Sequence, residues 1–444
     1  MERLFGTDGV RGKAGAFLTA KLAFDLGASG ARILAKSDKK PKVLIGMDTR
    51  VSSDMLAAAL AAGICSVGAD VYMAGVIPTP AVAYLVRKYG LSAGVMVSAS
   101  HNAFGDNGIK FYNNRGYKLS DEIENEIEAT VGQETVQAEG ADIGRVYSGN
   151  LATADYVEFL KLTANTNLAG KKIALDCANG ATFMAAPAIF ETLGASVTAL
   201  ANEPDGININ AGCGSTHVDL LAEHVKAGDY DMGFAFDGDG DRCFAIDEHG
   251  NVIDGDMIMA IIGKHWLAKG KLSKNTIVAT VMSNLGFFMD AKKAGLSVEQ
   301  TQVGDRYVLE RMMSEGYSLG GEQSGHIICL DYHTTGDGIL TSLLLAAIAQ
   351  ETGKTLGQLN TMQKMPQVLE NAKLGNTTKE AIQADAAIQA EIAALHTKYE
   401  GRGRVLIRPS GTEPLIRVMI EGEDMAEITD DAKRLAQMME DFNG

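Results

Sequence analysis

The chain has 444 residues, 46% hydrophobic and 22% charged, with 56 acidic against 40 basic side chains and a formal charge of −16. At roughly 150 residues per domain this suggests about three domains with real hydrophobic cores, and the acidic balance argues against a nucleic-acid binder, whose footprint is basic. Five scattered cysteines without C-x-x-C spacing exclude a disulfide framework and a thiolate zinc site. With no apolar leader and no apolar run near the roughly 18 residues that span a bilayer, a cytoplasmic protein with no membrane partner is expected.

Strand-like runs alternate with helix-period segments along most of the chain. Val43–Met47 precedes a helix from Ser53 to about Gly68, then Val71–Met73 and a segment from Thr79 to Tyr89 repeat the pattern, and Gly94–Val97 follows. Further strands are expected at Lys172–Asp176, Ala195–Thr198, Met232–Phe236, Thr276–Val281, Leu296–Val298 and Ile327–Leu330, with a helix over Asp256–Trp266. The last unit carries a long Ala/Glu/Gln-rich helix, Lys379–Leu395, a strand Arg404–Ile407 and a final helix from about Met425. Strand followed by helix, repeated, means α/β architecture with parallel or mixed sheets, and no short-period repeat points to a solenoid.

Five segments carry chemistry. Near the start, Arg11 lies in the glycine-rich stretch Phe5–Gly12, an ordinary turn unless the guanidinium reaches an anion. After Gly94–Val97 comes a Gly/Asn-rich loop, Ser98-Ala-Ser-His-Asn102, with Ser100 beside His101 and Lys110 downstream. It lacks the G-x-S-x-G setting of a serine hydrolase, and adjacent Ser and His side chains diverge along an extended chain. Asp237, Asp239 and Asp241 alternate with glycines ahead of Arg242; three crowded carboxylates repel one another unless a hard cation neutralises them. An EF-hand fits poorly, since Arg242 stands where that loop needs glycine and both flanks read as strands.

Gly320–His326 brings Glu322, Gln323, Ser324 and His326 into one short loop suited to a sugar's hydroxyls, although a plain hairpin turn accounts for it equally well. Arg408-Pro-Ser-Gly-Thr-Glu-Pro-Leu-Ile-Arg417 offers a guanidinium, two hydroxyls and turn N–H groups to a phosphate.

In this order, the five segments resemble the α-D-phosphohexomutase superfamily over essentially the whole chain. The resemblance implies an α/β fold of four domains around a central cleft: three related mixed-sheet α/β domains, 1–153, 154–254 and 255–365, and a smaller α+β C-terminal domain, 366–444. It makes Ser100 a phosphoserine that donates and recovers the phosphoryl group, with His101 beside it, and has Asp237, Asp239 and Asp241 hold Mg²⁺ together with an oxygen of Ser100. Arg11, Lys110 and Arg242 would line the reacting phosphoryl group, with Lys110 or His326 moving protons. Glu322, Gln323 and Ser324 would grip the sugar, and Arg408, Ser410, Gly411 and Thr412, with Arg417, would hold the phosphate that is not reacting.

Gln323 and Val303–Arg306 favour the branch of the superfamily that acts on glucosamine phosphates. The activity implied is an isomerase interconverting glucosamine 6-phosphate and glucosamine 1-phosphate through glucosamine 1,6-bisphosphate, feeding UDP-N-acetylglucosamine and cell-wall precursors. The alternatives are a phosphomannomutase/phosphoglucomutase or a metal-dependent sugar phosphatase. The expected partner is a small-molecule sugar phosphate, and a homodimer stays open. Ala103 departs from the usual proline, which removes a fixed φ from the loop but no reactive group.

Overall fold

The computed structural model describes residues 3–36, 40–133, 136–148, 152–375, 377–409 and 414–442. Two compact units emerge: residues 1–282 with 296–361, and residues 283–295 with 362–444.

The first unit contains three sheets. The first comprises β1 (Val10–Lys13), β2 (Lys42–Met47), β3 (Asp70–Val76), β4 (Ala93–Val97), β5 (Asp106–Asn113) and β6 (Val146–Ser148), ordered β1-β5-β4-β2-β3-β6. The second has β7 (Lys172–Asp176), β8 (Ser196–Leu200), β9 (Met232–Phe236), β10 (Cys243–Ile246) and β11 (Val252–Ile253), ordered β11-β10-β9-β7-β8. The third has β12 (Thr276–Thr280), β13 (Ser297–Thr301), β14 (Leu319–Gly321) and β15 (Ile327–Cys329), ordered β13-β12-β14-β15.

One pattern recurs in all three. The runs β5-β4-β2-β3, β10-β9-β7-β8 and β15-β14-β12-β13 share one order. In each, three parallel strands are followed by one that turns back antiparallel. A parallel pair needs a long crossover, whereas an antiparallel pair closes through a short loop. The short loops at the carboxyl ends of β4, β9 and β14 therefore sit at the same place in three sheets. They carry Ser100, the Asp237–Asp241 cluster and Glu322–His326.

These strands form because both sheet faces are covered. Every residue of β4, β9 and β12 is buried, as continuous apolar runs in parallel sheets require. In the first sheet Val43, Ile45, Val71, Val95 and Val97 pack with Leu56, Leu60 and Ile64 from the helix Val51–Ser66. Burial of each such side chain contributes about 1.5–3 kcal/mol.

The second unit has a three-stranded antiparallel sheet, β16 (Gln367–Lys373), β17 (Gly403–Pro409) and β18 (Leu415–Gly422), ordered β16-β18-β17. The helix Met425–Glu440 packs on it through Ile428, Ala432, Leu435 and Met439. Also in this unit is the helix Leu285–Lys293, whose N-cap Asn284 donates to the buried Glu421 carboxylate on β18 at 3.0 Å.

The expected single helix over Lys379–Leu395 is two, Lys379–Ala384 and Ala386–Tyr399, because Asp385 takes an extended conformation and its carboxylate caps Ile388 N–H. The expected count of about three domains is one short: three mixed-sheet α/β domains are joined by the small C-terminal sheet domain.

Candidate active site

Ser100 is 2% exposed and has φ +53°, a left-handed conformation that non-glycine residues rarely adopt. Its hydroxyl donates to Asp237 Oδ2 at 2.5 Å. Next to it, Asp239 Oδ2 accepts from Thr79 Oγ1 at 2.6 Å and from Lys110 Nζ at 2.7 Å. The turn between β9 and β10 is tight against the serine loop, since a Cβ on Gly238 would lie 2.5 Å from the Ser100 carbonyl oxygen.

Asp237, Asp239 and Asp241 are buried and each can bring one carboxylate oxygen within 4.8 Å of the others. Burial first, and then the charges of Asp241 and Asp239, push the Asp237 carboxyl well above the usual range. For Asp239, burial acts in the same direction but Lys110 and the bond from Thr79 outweigh it and hold the group below its ordinary value. Asp239 Oδ1 and Asp241 Oδ1 are buried with no hydrogen-bond partner among the described residues. An all-oxygen donor set with two buried oxygens unpaired fits a hard divalent cation.

Cations surround the cluster. Lys110, 2% exposed, pairs with Asp239 at 2.7 Å and Asp8 at 2.9 Å; burial disfavours its charge, but Asp239 and Asp8 reverse this and raise its pKa. Arg11, placed by β1–β5 pairing opposite Gly108, bonds Asp8, and Arg242 follows Asp241 directly. The Nε–H groups of both arginines are buried with no hydrogen-bond acceptor among the described residues, which leaves donors for an anion.

His326 stands between Asp241 (Nδ1 to Oδ2, 3.6 Å) and Asp305 (Nε2 to Oδ2, 3.5 Å). Burial lowers its basicity, but Asp241 and then Asp305 more than compensate, and its pKa rises to about 9. Gly336 N–H also points at Nε2, at 3.2 Å, which suits only a neutral ring. The two carboxylates favour the charged ring, and the Gly336 donor the neutral one. His101 behaves oppositely: burial first, then Arg242 and Arg11, lower its pKa to about 4, and its Nδ1 is 3.5 Å from Ser100 Oγ, too far for a strong bond.

Glu322 Oε1 accepts from Gly304 N–H at 3.1 Å, and its backbone N–H donates to the His326 carbonyl at 3.0 Å. Ser324 Oγ is buried with no hydrogen-bond partner among the described residues, and the Gln323 carbonyl accepts from Gly255 N–H at 3.1 Å. In the second unit Arg408 and Arg417 lie directly opposite each other on β17 and β18. Burial, then Arg417, lowers the pKa of Arg408. Two facing guanidiniums repel unless an anion lies between them. Ser410, Gly411 and Thr412 lie outside the described residues.

Several residues of this neighbourhood escaped the sequence reading. Lys118 bridges Asp8 (2.6 Å) and Asp305 (2.5 Å), tying the first sheet's domain to the third's. Asp48, Arg50 and Asn210 grip the Ser100 loop from behind. Their only signal was a charged Asp-x-Arg following an apolar strand, which reads as a solvated loop.

Three mixed-sheet domains that present a hydroxyl, a carboxylate cluster and the Glu322–His326 segment at equivalent loops, with Arg11, Lys110 and Arg242 among them, are suited to phosphoryl transfer. Residues 2–138, 154–250 and 254–365 match the family models for phosphoglucomutase/phosphomannomutase alpha/beta/alpha domains I, II and III, and residues 369–438 match that family's C-terminal domain. The chain is 55% identical to the phosphoglucosamine mutase of Clostridium novyi over 445 residues, and 56% identical to that of Ruminiclostridium cellulolyticum over 446, covering 99% of both chains in each case. Among solved structures it is similar to a phosphoglucomutase/phosphomannomutase family protein from Burkholderia thailandensis (TM-score 0.82, 24% identity, 100% and 99% of the two chains). It is also similar to Aspergillus fumigatus N-acetylphosphoglucosamine mutase in complex with GlcNAc-6P and magnesium (TM-score 0.68, 19% identity, 99% and 95%). The chain belongs to the phosphoglucomutase/phosphomannomutase family, in its phosphoglucosamine mutase branch.

Proposed function

We propose that this isomerase interconverts glucosamine 6-phosphate and glucosamine 1-phosphate, with Ser100 as the phosphoryl carrier and glucosamine 1,6-bisphosphate as the intermediate. The observation that carries the reading is Ser100 Oγ at 2.5 Å from Asp237, inside a cluster of three buried aspartates and beside Arg11, Lys110 and Arg242. Identity of 53–56% to phosphoglucosamine mutases along the whole chain supports the amino-sugar substrate over glucose or mannose phosphates.

In the first half-reaction the bond between Ser100 Oγ and phosphorus breaks and a new one forms to the free sugar hydroxyl, which gives up its proton. In the second, Ser100 Oγ takes the other phosphoryl group, and the sugar oxygen that leaves gains a proton. His326, when protonated, would be a proton donor for that step. Arg11 and Arg242 offer buried donors to the transferring group, and Lys110 fixes positive charge between Asp8 and Asp239. Mg²⁺ held by Asp237, Asp239, Asp241 and an oxygen of phosphorylated Ser100 would neutralise charge on that group. Glu322, Gln323 and Ser324 would orient the ring, while Arg408 and Arg417, with Ser410, Gly411 and Thr412, would hold the phosphate that is not reacting.

The four-domain partition at 1–153, 154–254, 255–365 and 366–444 belongs to the same reading. So does a cytoplasmic location, which the five free cysteines support. Among the described residues no helix is long and apolar enough to cross a membrane.

Two measurements test the function. An intact mass of the purified chain should show one phosphate, mapped to Ser100. Glucosamine 6-phosphate should be converted to the 1-phosphate without release of inorganic phosphate. Stoichiometric phosphate release instead would make the protein a sugar phosphatase.

A further inference from the structure

Behind the reactive hydroxyl lies a second, fully buried arrangement that no part of the proposed chemistry uses. Arg50 and Asp48 form an ion pair whose side chains are both 0% exposed. The guanidinium has five N–H groups, and all five are accepted. Nε donates to Asp48 Oδ2 at 2.8 Å. Nη1 donates to the carbonyls of Ala103 (2.5 Å) and Asp106 (3.1 Å), and Nη2 to those of Ser100 (3.0 Å) and Asn102 (2.8 Å). One side chain thus gathers four carbonyls from a seven-residue loop into the plane of a single cation.

Asp48 continues the grip from the other side. Its Oδ2 accepts from Ser98 Oγ at 2.6 Å, and Ser98 Oγ in turn accepts from Ser100 N–H at 2.9 Å. Its Oδ1 accepts from Ser53 Oγ and from Arg50 N–H, which locks the carboxylate. Asn210 Nδ2 adds a second donor to the Ser100 carbonyl at 2.9 Å. The backbone of Ser100 is therefore held at its N–H and at its C=O together, while its φ is +53°. A strained conformation of this kind persists only where its surroundings over-determine it, and here the surroundings are Asp48, Arg50, Ser98 and Asn210.

We infer that Arg50 is a positioning residue for phosphoryl transfer: with Asp48 it holds Ser100 in the left-handed conformation that aims its Oγ at the aspartate cluster. It sets the rate of transfer while touching neither sugar nor cation. The inference rests on the reading of Ser100 as the phosphoryl carrier.

Lysine keeps the charge at position 50 but offers three donors in a tetrahedral spread, which cannot reach four carbonyls and a carboxylate in one plane. In the full-length protein with Mg²⁺, Arg50→Lys should lower kcat for glucosamine 6-phosphate about 10²-fold, the usual consequence of displacing a reacting atom by about 1 Å. KM and the Mg²⁺ concentration for half-maximal activity should stay within about threefold. Phosphorylation of Ser100 by added glucosamine 1,6-bisphosphate, followed by intact mass, should slow in parallel with kcat. Ser98→Ala removes one link of the grip without burying a new charge and should lower kcat about tenfold by the same pattern.

Wild-type kcat in the folded Arg50→Lys protein, or a rise in KM that accounts for the whole loss, would overturn the inference. If Arg50→Lys does not fold, Ser98→Ala decides, and an unchanged phosphorylation rate there overturns it. An active Ser100→Ala variant is a separate outcome, which removes the phosphoserine reading and this inference with it.

Discussion

Ser100 Oγ donates to Asp237 Oδ2 at 2.5 Å across 137 residues of sequence. The bond joins the loop after β4 to the turn after β9, so the Ser100 hydroxyl and the carboxylate cluster are brought together by domain packing. Burial, and then its two neighbours, push the Asp237 carboxyl up. That cost persists until something positive enters.

Removing the hydroxyl should therefore abolish turnover at little structural cost. Ser100→Ala should show no measurable mutase activity and no phosphate in its intact mass, with a melting temperature close to that of the parent. Retention of even a tenth of the parent rate would eliminate the covalent route.

In the proposed site Asp239 would serve both a cation and Lys110, and only the Lys110 pair is in the structure. Asp239→Ala should lose activity even in excess Mg²⁺, and should also destabilise the fold by about 3–5 kcal/mol, since it leaves Lys110 buried without its nearest counter-ion. Asp241 lies farther from Lys110, at 4.0 Å, so Asp241→Ala should lose activity with a smaller drop in stability. Urea melts and assays with chelator, then with Mg²⁺ restored, separate the two effects. Equal destabilisation by the two variants would contradict this division.

Arg408 faces Arg417 across β17 and β18. Arg408→Ala relieves that repulsion, so the thermal midpoint should not fall. A charge-assisted bond to phosphate contributes about 1.5–3 kcal/mol, or about one to two decades of affinity. KM should rise by that factor for the 1-phosphate and the 6-phosphate alike, and the enzyme should come to need added glucosamine 1,6-bisphosphate. A rise for only one monophosphate would mean that these arginines serve a single orientation of the sugar.

Asp337 gives a pH-dependent expectation, with the Asp241 charge among the causes that raise its pKa. Burial raises its pKa to about 7, against hydrogen bonds from Leu340 N–H and the Tyr156 hydroxyl. A carboxyl with a folded pKa above its unfolded one stabilises the fold when protonated. That contribution is complete below about pH 4 and is lost as pH rises through about 7, with a slope of at most about 1.4 kcal/mol per pH unit. Asp337→Asn keeps an acceptor for Leu340 and removes the titration. Relative to the parent it should gain stability between pH 5 and pH 8, and urea melts at both values check this. Identical pH slopes in the two proteins would rule the assignment out.

Sequence periodicity located most strands of the three α/β domains, because each is an apolar run bounded by turn residues. Met232–Phe236 and Lys172–Asp176 match to the residue. The repetition of one strand order across three sheets was not legible, since it lives in hydrogen-bond partners that very different side chains satisfy equally well. Strand β5, with its polar Asp106 and Asn107 and its buried Lys110, hid for a related reason: its polar groups are there to meet other loops. Ser100 and the aspartate cluster stood out because their residue patterns are local in sequence. Lys118, Asp8, Asp305 and Arg50 did not, because each also depends on partners far away in sequence, as in the Lys118–Asp305 and Arg50–Ser100 contacts.

The helix Leu285–Lys293 belongs to the C-terminal unit although β12 and β13, on either side of it in sequence, belong to the other. During synthesis this helix leaves the ribosome well before β16, β17 and β18 exist, and Asn284 must wait for Glu421. A fragment beginning at the C-terminal sheet would lack its own helix and leave a buried carboxylate short of donors. The unit is thus the last part of the molecule that can finish folding, and it cannot be detached by a single cut.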